Sequence, residues 1–137
     1  MMFPGGKRKA LTFSYDDGVE QDRRLVALLN RYGLKGTFNL NSGIQTYANC
    51  WENSGVEIHR LNALGLGSLY RGHEVAVHTL THPHLDELDG ATIRNEIYLD
   101  KRYLELMFGA PVTGMAYPFG EYNSAVLQTA RDAGILY

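Results

Sequence analysis

Residues 9–18 read Lys-Ala-Leu-Thr-Phe-Ser-Tyr-Asp-Asp-Gly, a short β-compatible run that meets two carboxylates and a glycine. Lys9 to Tyr15 is predicted as a strand, and Asp16-Asp17-Gly18 as the sharp loop that ends it. From Val19 the pattern turns helical, with Leu25, Leu28, Leu29 and Tyr32 on one face and Gly33 where a left-handed C-terminal cap is wanted. A strand that passes through a polar turn into an amphipathic helix is one β/α unit, and the rest of the chain repeats that pattern.

Thr37 to Leu40 reads as a second strand, and Asn41 to Arg60, rich in Asn, Gly and Ser and without a sustained period, as a long functional loop. A weak helix over Leu61 to Tyr70 precedes a third strand over His73 to Thr79. Asp89 is placed to cap a helix that buries Ile93, Ile97, Leu104 and Phe108 and closes at Gly109. Pro111 to Tyr117 is a fourth strand candidate, Asn123 caps a last helix through Ala133, and a fifth strand begins at Ile135-Leu136-Tyr137. Alternating strands and helices imply right-handed crossovers, an α/β fold and a mostly parallel sheet whose chemistry gathers at the carboxyl ends of its strands.

With 137 residues, 45% of them hydrophobic and 20% charged, the chain can bury one core but not two, so residues 1–137 are expected to form a single domain. A formal net charge of -2 and the lack of a basic run argue against nucleic acid or an anionic membrane as partner. Cys50 is the sole cysteine and has no intrachain disulfide partner. Met1 to Ala10 is polar where an export signal would be apolar, and no apolar run approaches the roughly 20 residues of a membrane span. A cytoplasmic, soluble protein is the expectation for the chain as it stands.

Two clusters carry chemistry. Adjacent carboxylates at Asp16 and Asp17 repel in a cleft unless a cation is present, which suggests metal binding or acid–base work, although Asp-Asp-Gly alone reads more readily as a solvated turn. His78-Thr79-Leu80-Thr81-His82-Pro83-His84 places two imidazoles with three residues between them at another strand end. Pro83 biases His82 away from helix, so a tight loop is expected there. The null for the histidines is a pair bonded to backbone. Taken with Asp17 they make a set of one carboxylate and two imidazoles, which leaves coordination positions open as catalytic metal sites do. The segment Ala116-Tyr117-Pro118-Phe119-Gly120-Glu121-Tyr122-Asn123 could wall a sugar groove or simply pack beside a turn.

The order of these three segments resembles the NodB-homology polysaccharide deacetylases, carbohydrate esterase family four, over essentially the whole chain. The family's T-F-D-D-G motif is similar to Thr12 to Gly18 with Ser14 and Tyr15 added, an insertion of two that keeps side chains on the same strand face. H-[ST]-x-x-H is matched in full by His78 to His82, and R-x-P-[YF] in part by Ala116-Tyr117-Pro118-Phe119, with alanine in place of arginine. The resemblance implies Asp16 as general base, Asp17, His78 and His82 as ligands of a divalent metal, and Tyr117, Pro118 and Phe119 as substrate contacts. Zinc is the first choice of metal, with cobalt, nickel or iron tolerated by the same ligands. The implied activity is hydrolysis of N-acetyl, less often O-acetyl, groups of an acetylated glycan. The alternative is a non-catalytic metal- or carbohydrate-binding module on the same fold.

The family's arginine orients the catalytic aspartate, and its late motifs supply an aromatic wall and the general-acid histidine. Those late motifs would fall after Tyr137, so the resemblance implies an incomplete version of the family's deformed (β/α) barrel, an activity that is weak or absent, and an open sheet edge inviting homo-oligomers. His73 and His84 stand near in sequence as substitute proton donors, and read more simply as surface or supporting residues.

Overall fold

A computed structural model describes residues 2–137; Met1, the first residue of the stretch read for an export signal, lies outside the described residues. The elements run β1 (Ser14–Asp16), α1 (Asp22–Arg31), β2 (Thr37–Leu40), β3 (Cys50–Asn53), β4 (Val56–His59), α2 (Ala63–Leu69), β5 (Glu74–Val77), α3 (Gly90–Phe108) and α4 (Ser124–Asp132). Strands β1, β2 and β5 form a parallel sheet in that order, with Asp16 opposite Asn39 and Asn39 opposite Ala76. Backbone bonds extend the pattern: Val77 N–H donates to the Gly114 carbonyl, and Leu136 N–H to that of Thr113. The sheet is thus the parallel α/β arrangement expected.

Alternation along these strands sorts the side chains. Phe38, Leu40 and Val77 face the helices and are buried with Val26, Leu29, Tyr70, Ile93, Ile97 and Leu104, while Asp16 and Asn39 belong to the other face. Helix α3 is capped as its sequence predicts: Asp89 accepts from the N–H groups of Ala91 and Thr92, and Gly109 ends it at φ 67°. Asn123 does the same for α4 by accepting from Val126 N–H. Among the described residues no helix is long and apolar enough to cross a membrane.

Several boundaries differ from the sequence reading. Helix α1 starts at Asp22, not Val19, because Val19 bridges to Arg60 and its N–H is taken by the Asp22 carboxylate. Its buried face is consequently Val26 and Leu29, with Leu28 and Tyr32 exposed. The fourth strand shrinks to a bridge between Val77 and Met115, since Pro111 and Pro118 bracket the segment and neither offers an N–H.

The main correction concerns Asn41 to Arg60, which is not loop throughout. Its second half is an antiparallel hairpin, β3 with β4, turning at Ser54 and Gly55. Both turn residues have positive φ, 53° and 77°, the backbone that matches the twist of a two-residue hairpin. The hairpin delivers Arg60 back to the carboxyl ends of the parallel strands.

Candidate active site

Asp17 follows β1 directly and turns out of the strand, with φ 78° and its N–H bonded to the Asn39 carbonyl at 3.0 Å. The turn separates the two aspartates. Asp16 stays in register beside Asn39, whose amide donates to Asp16 Oδ1 at 2.7 Å and to Ser14 Oγ at 2.9 Å. Asn39, buried on the adjacent strand, therefore holds the carboxylate that the family's arginine was expected to orient.

His78 follows β5 and is 2% exposed. Its Nδ1 lies 2.8 Å from the Ala116 carbonyl, which can only accept, so Nδ1 carries the proton and Nε2 presents a lone pair. The tight loop expected before Pro83 is present, with Thr79 and His82 both left-handed at φ 68° and 63°. Two buried side chains fix it. Glu96 of α3 accepts from Thr81 N–H and hydroxyl, and Asn41 donates to the carbonyls of His78 and Thr79. Asp100, beneath them, accepts from the N–H groups of Ser42 and His78, and burial pushes its carboxyl up to about 7. Desolvation likewise lowers the pKa of His82, against the opposing pull of Asp17, and favours the neutral imidazole that a metal needs.

These loops bring Asp17, His78 and His82 together. Asp17 Oδ1 lies 3.6 Å from His82 Nε2 and 4.0 Å from His78 Nε2, and one ligand atom from each residue falls within 4.8 Å of the other two. A carboxylate oxygen and two imidazole lone pairs at that spacing suit a zinc-like ion.

The family model described as polysaccharide deacetylase matches residues 4–137.

The chain belongs to the polysaccharide deacetylase family. The chain is 29% identical over 124 residues to a probable peptidoglycan-N-acetylglucosamine deacetylase of Arthroderma benhamiae, covering 89% of this chain and 26% of that protein. It is 31% identical over 126 residues to a chitin deacetylase of a Pestalotiopsis species, covering 91% and 38%. A Streptococcus pyogenes deacetylase solved in complex with acetate superposes with a TM-score of 0.80 at 23% identity, over 93% of this chain and 54% of that one. The chain thus spans between about a quarter and a half of the length of these deacetylases, and its sheet is part of the deformed barrel of the polysaccharide deacetylase fold.

The aromatic segment divides on folding. Phe119, left-handed at φ 58° and 58% exposed, lies edge-on to His82 at 4.7 Å and flat on His84 at 3.9 Å. Tyr117 turns to Tyr122, and Pro118 is buried. His84 is engaged by Glu121 at 2.5 Å, a hydrogen bond that raises its pKa. His73 bridges Gly36 N–H and Asn30 at the opposite ends of the strands. Ala116 lines a cavity of about 440 Å³ with Ser14, Asn39 and Tyr137, in the space a longer side chain would fill.

Sequence reading missed Arg60. It is 5% exposed, donates to Asp17 Oδ1 at 3.0 Å, to the Asp17 carbonyl at 2.7 Å and to Asn41 Oδ1 at 2.8 Å, and lies over the Trp51 ring. The absence of arginine at Ala116 was the one signal that could have prompted a search for another.

Gly43 N–H bonds to the Leu80 carbonyl, and a Cβ at Gly43 would sit 2.7 Å from that oxygen. Gly43→Ala is expected to cost about 1–3 kcal/mol by pushing the His78–His82 loop outward. Urea denaturation checks the cost, and a zinc titration of the folded variant should show weaker binding.

Proposed function

We propose that this chain belongs to a metal-dependent hydrolase that removes acetyl groups, chiefly N-acetyl, from a carbohydrate, with Asp17, His78 and His82 as metal ligands. The observation that carries this reading is the convergence of those three donors from two separate strand ends. A bound divalent ion, zinc in first place, would polarise the acetyl carbonyl and acidify water.

The remaining work falls to the chain's own groups. Asp16 takes the proton of the attacking water through Oδ2, since Asn39 occupies Oδ1. The backbone N–H of Phe119 is assigned to the developing oxyanion, a donor of a kind that contributes about 100- to 1,000-fold. The Phe119 ring, exposed beside His82, gives a sugar an apolar face to rest on. Tyr117, packed on Tyr122, and Pro118, which is buried, are not assigned direct contact. Protonating the departing amine needs an acid; His73 lies at the opposite ends of the strands with both ring nitrogens bonded, and His84, held at Nδ1 by Glu121, is stacked on the Phe119 ring rather than placed among the three ligands.

The expected result is therefore a chain that binds zinc but deacetylates chitooligosaccharide or acetylxylan slowly. Metal analysis and a turnover assay with added zinc or cobalt check both halves. A folded protein that takes up no metal at this site would overturn the proposal, and rapid turnover would overturn the assignment of a missing acid.

A further inference from the structure

The β3–β4 hairpin carries a second group of donors outside the site above. Cys50 and His59 are register partners across the antiparallel pair, and Glu57, two residues before His59, projects from the same face. Cys50 Sγ lies 3.7 Å from Glu57 Oε1, and Glu57 Oε2 lies 3.3 Å from His59 Nε2. All three residues offer ligand atoms within 4.8 Å of one another. Zinc bonds of about 2.0–2.3 Å place neighbouring tetrahedral donors about 3.3–3.8 Å apart, so only a small contraction is needed.

The histidine is oriented for this. Its Nδ1 lies 2.9 Å from the Tyr47 carbonyl, an obligate acceptor, and its ring is stacked on Tyr47 at 4.1 Å with 6° between planes. The proton is thereby placed on Nδ1, and Nε2 is turned toward Glu57, so that the neutral ring would present its lone pair there, the carbonyl-buttressed tautomer found in metal-bound histidines. The simple alternative is an ion pair between protonated His59 and Glu57, whose other carboxylate oxygen accepts from the Cys50 thiol.

We propose that Cys50, Glu57 and His59 form a second site for a thiophilic divalent cation of the zinc class, with the fourth position left to solvent. Thiolate and imidazole exclude magnesium and calcium as preferred occupants. The ion would clamp the two strands of the hairpin that ends in Arg60, and so steady the guanidinium that holds Asp17.

The test removes the other site first. In the His82→Gly variant, which keeps the Asp17–Arg60 pair, cobalt is expected to produce a thiolate-to-cobalt charge-transfer band, and zinc to slow alkylation of Cys50 by at least about tenfold. Adding Cys50→Ser must abolish the band, and adding Glu57→Gln instead must weaken binding while leaving circular dichroism unchanged. An alkylation rate indifferent to zinc, or a cobalt spectrum without sulfur character in the folded variant, would overturn the proposal. Neither outcome bears on the deacetylase site, which has lost His82 in that protein and contains no sulfur.

Discussion

His82→Gly is expected to keep the fold and lose the metal. His82 sits at φ 63°, a left-handed backbone that costs a side-chain-bearing residue energy and a glycine none. Removing the imidazole there relieves the loop while deleting one of three donors. Zinc affinity at the Asp17 site should fall by at least about 100-fold, beyond the 10–100-fold that loss of an outer-shell partner brings. The metal-free variant should unfold at the same urea concentration as the parent or a higher one. Calorimetric zinc titration and urea denaturation read the two quantities separately. Undiminished zinc uptake at the Asp17 site would remove His82 from the ligand set and with it the metal centre proposed here.

Arg60→Met should have the largest effect on stability. The guanidinium is almost fully buried and satisfies the Asp17 carboxylate, the Asp17 carbonyl and Asn41 at once. Methionine keeps the contact with Trp51 but takes the donor from Asn41 Oδ1 and the counter-charge from the Asp17 carboxylate, while Gln45 still serves the Asp17 carbonyl. Breaking a buried pair from one side costs about 3–5 kcal/mol, and the metal-free protein is expected to lose about that much. Saturating zinc should recover part of the loss, because a cation bound by Asp17 replaces the missing charge. Denaturation with and without zinc measures both terms. A loss below about 1 kcal/mol without metal would mean that the pair is no better than an exposed one.

How much of this was legible in the sequence depends on the range of the interaction involved. Helix α3 was readable from end to end, because Asp89, the apolar positions Ile93, Ile97 and Leu104, and Gly109 act within a turn or two of one another. Strand β2 was readable for a similar reason. Helix α1 was read in part: Leu29 is buried and Leu25 packs on the core, but Leu28 and Tyr32 are exposed, and its start is set by a bridge from Val19 to Arg60, a residue far along the chain. The β3–β4 hairpin was hidden by its polar composition, and Ser54-Gly55, its one local signal, was absorbed into a longer stretch read as loop.

The sequence by itself determined the parallel α/β pattern, the pairing of a carboxylate with two histidines at strand ends, and the family resemblance. Those features rest on residue type, period and order, which survive without coordinates. Only the tertiary structure decided that Asp16 answers to Asn39, that Asp17 is gripped by Arg60, and that Phe119 rather than Tyr117 or Pro118 faces the histidines. Each of these is a contact between side chains brought together by strand register or by a returning hairpin, and short-range polar geometry of that kind leaves no periodic trace in a chain read from one end to the other.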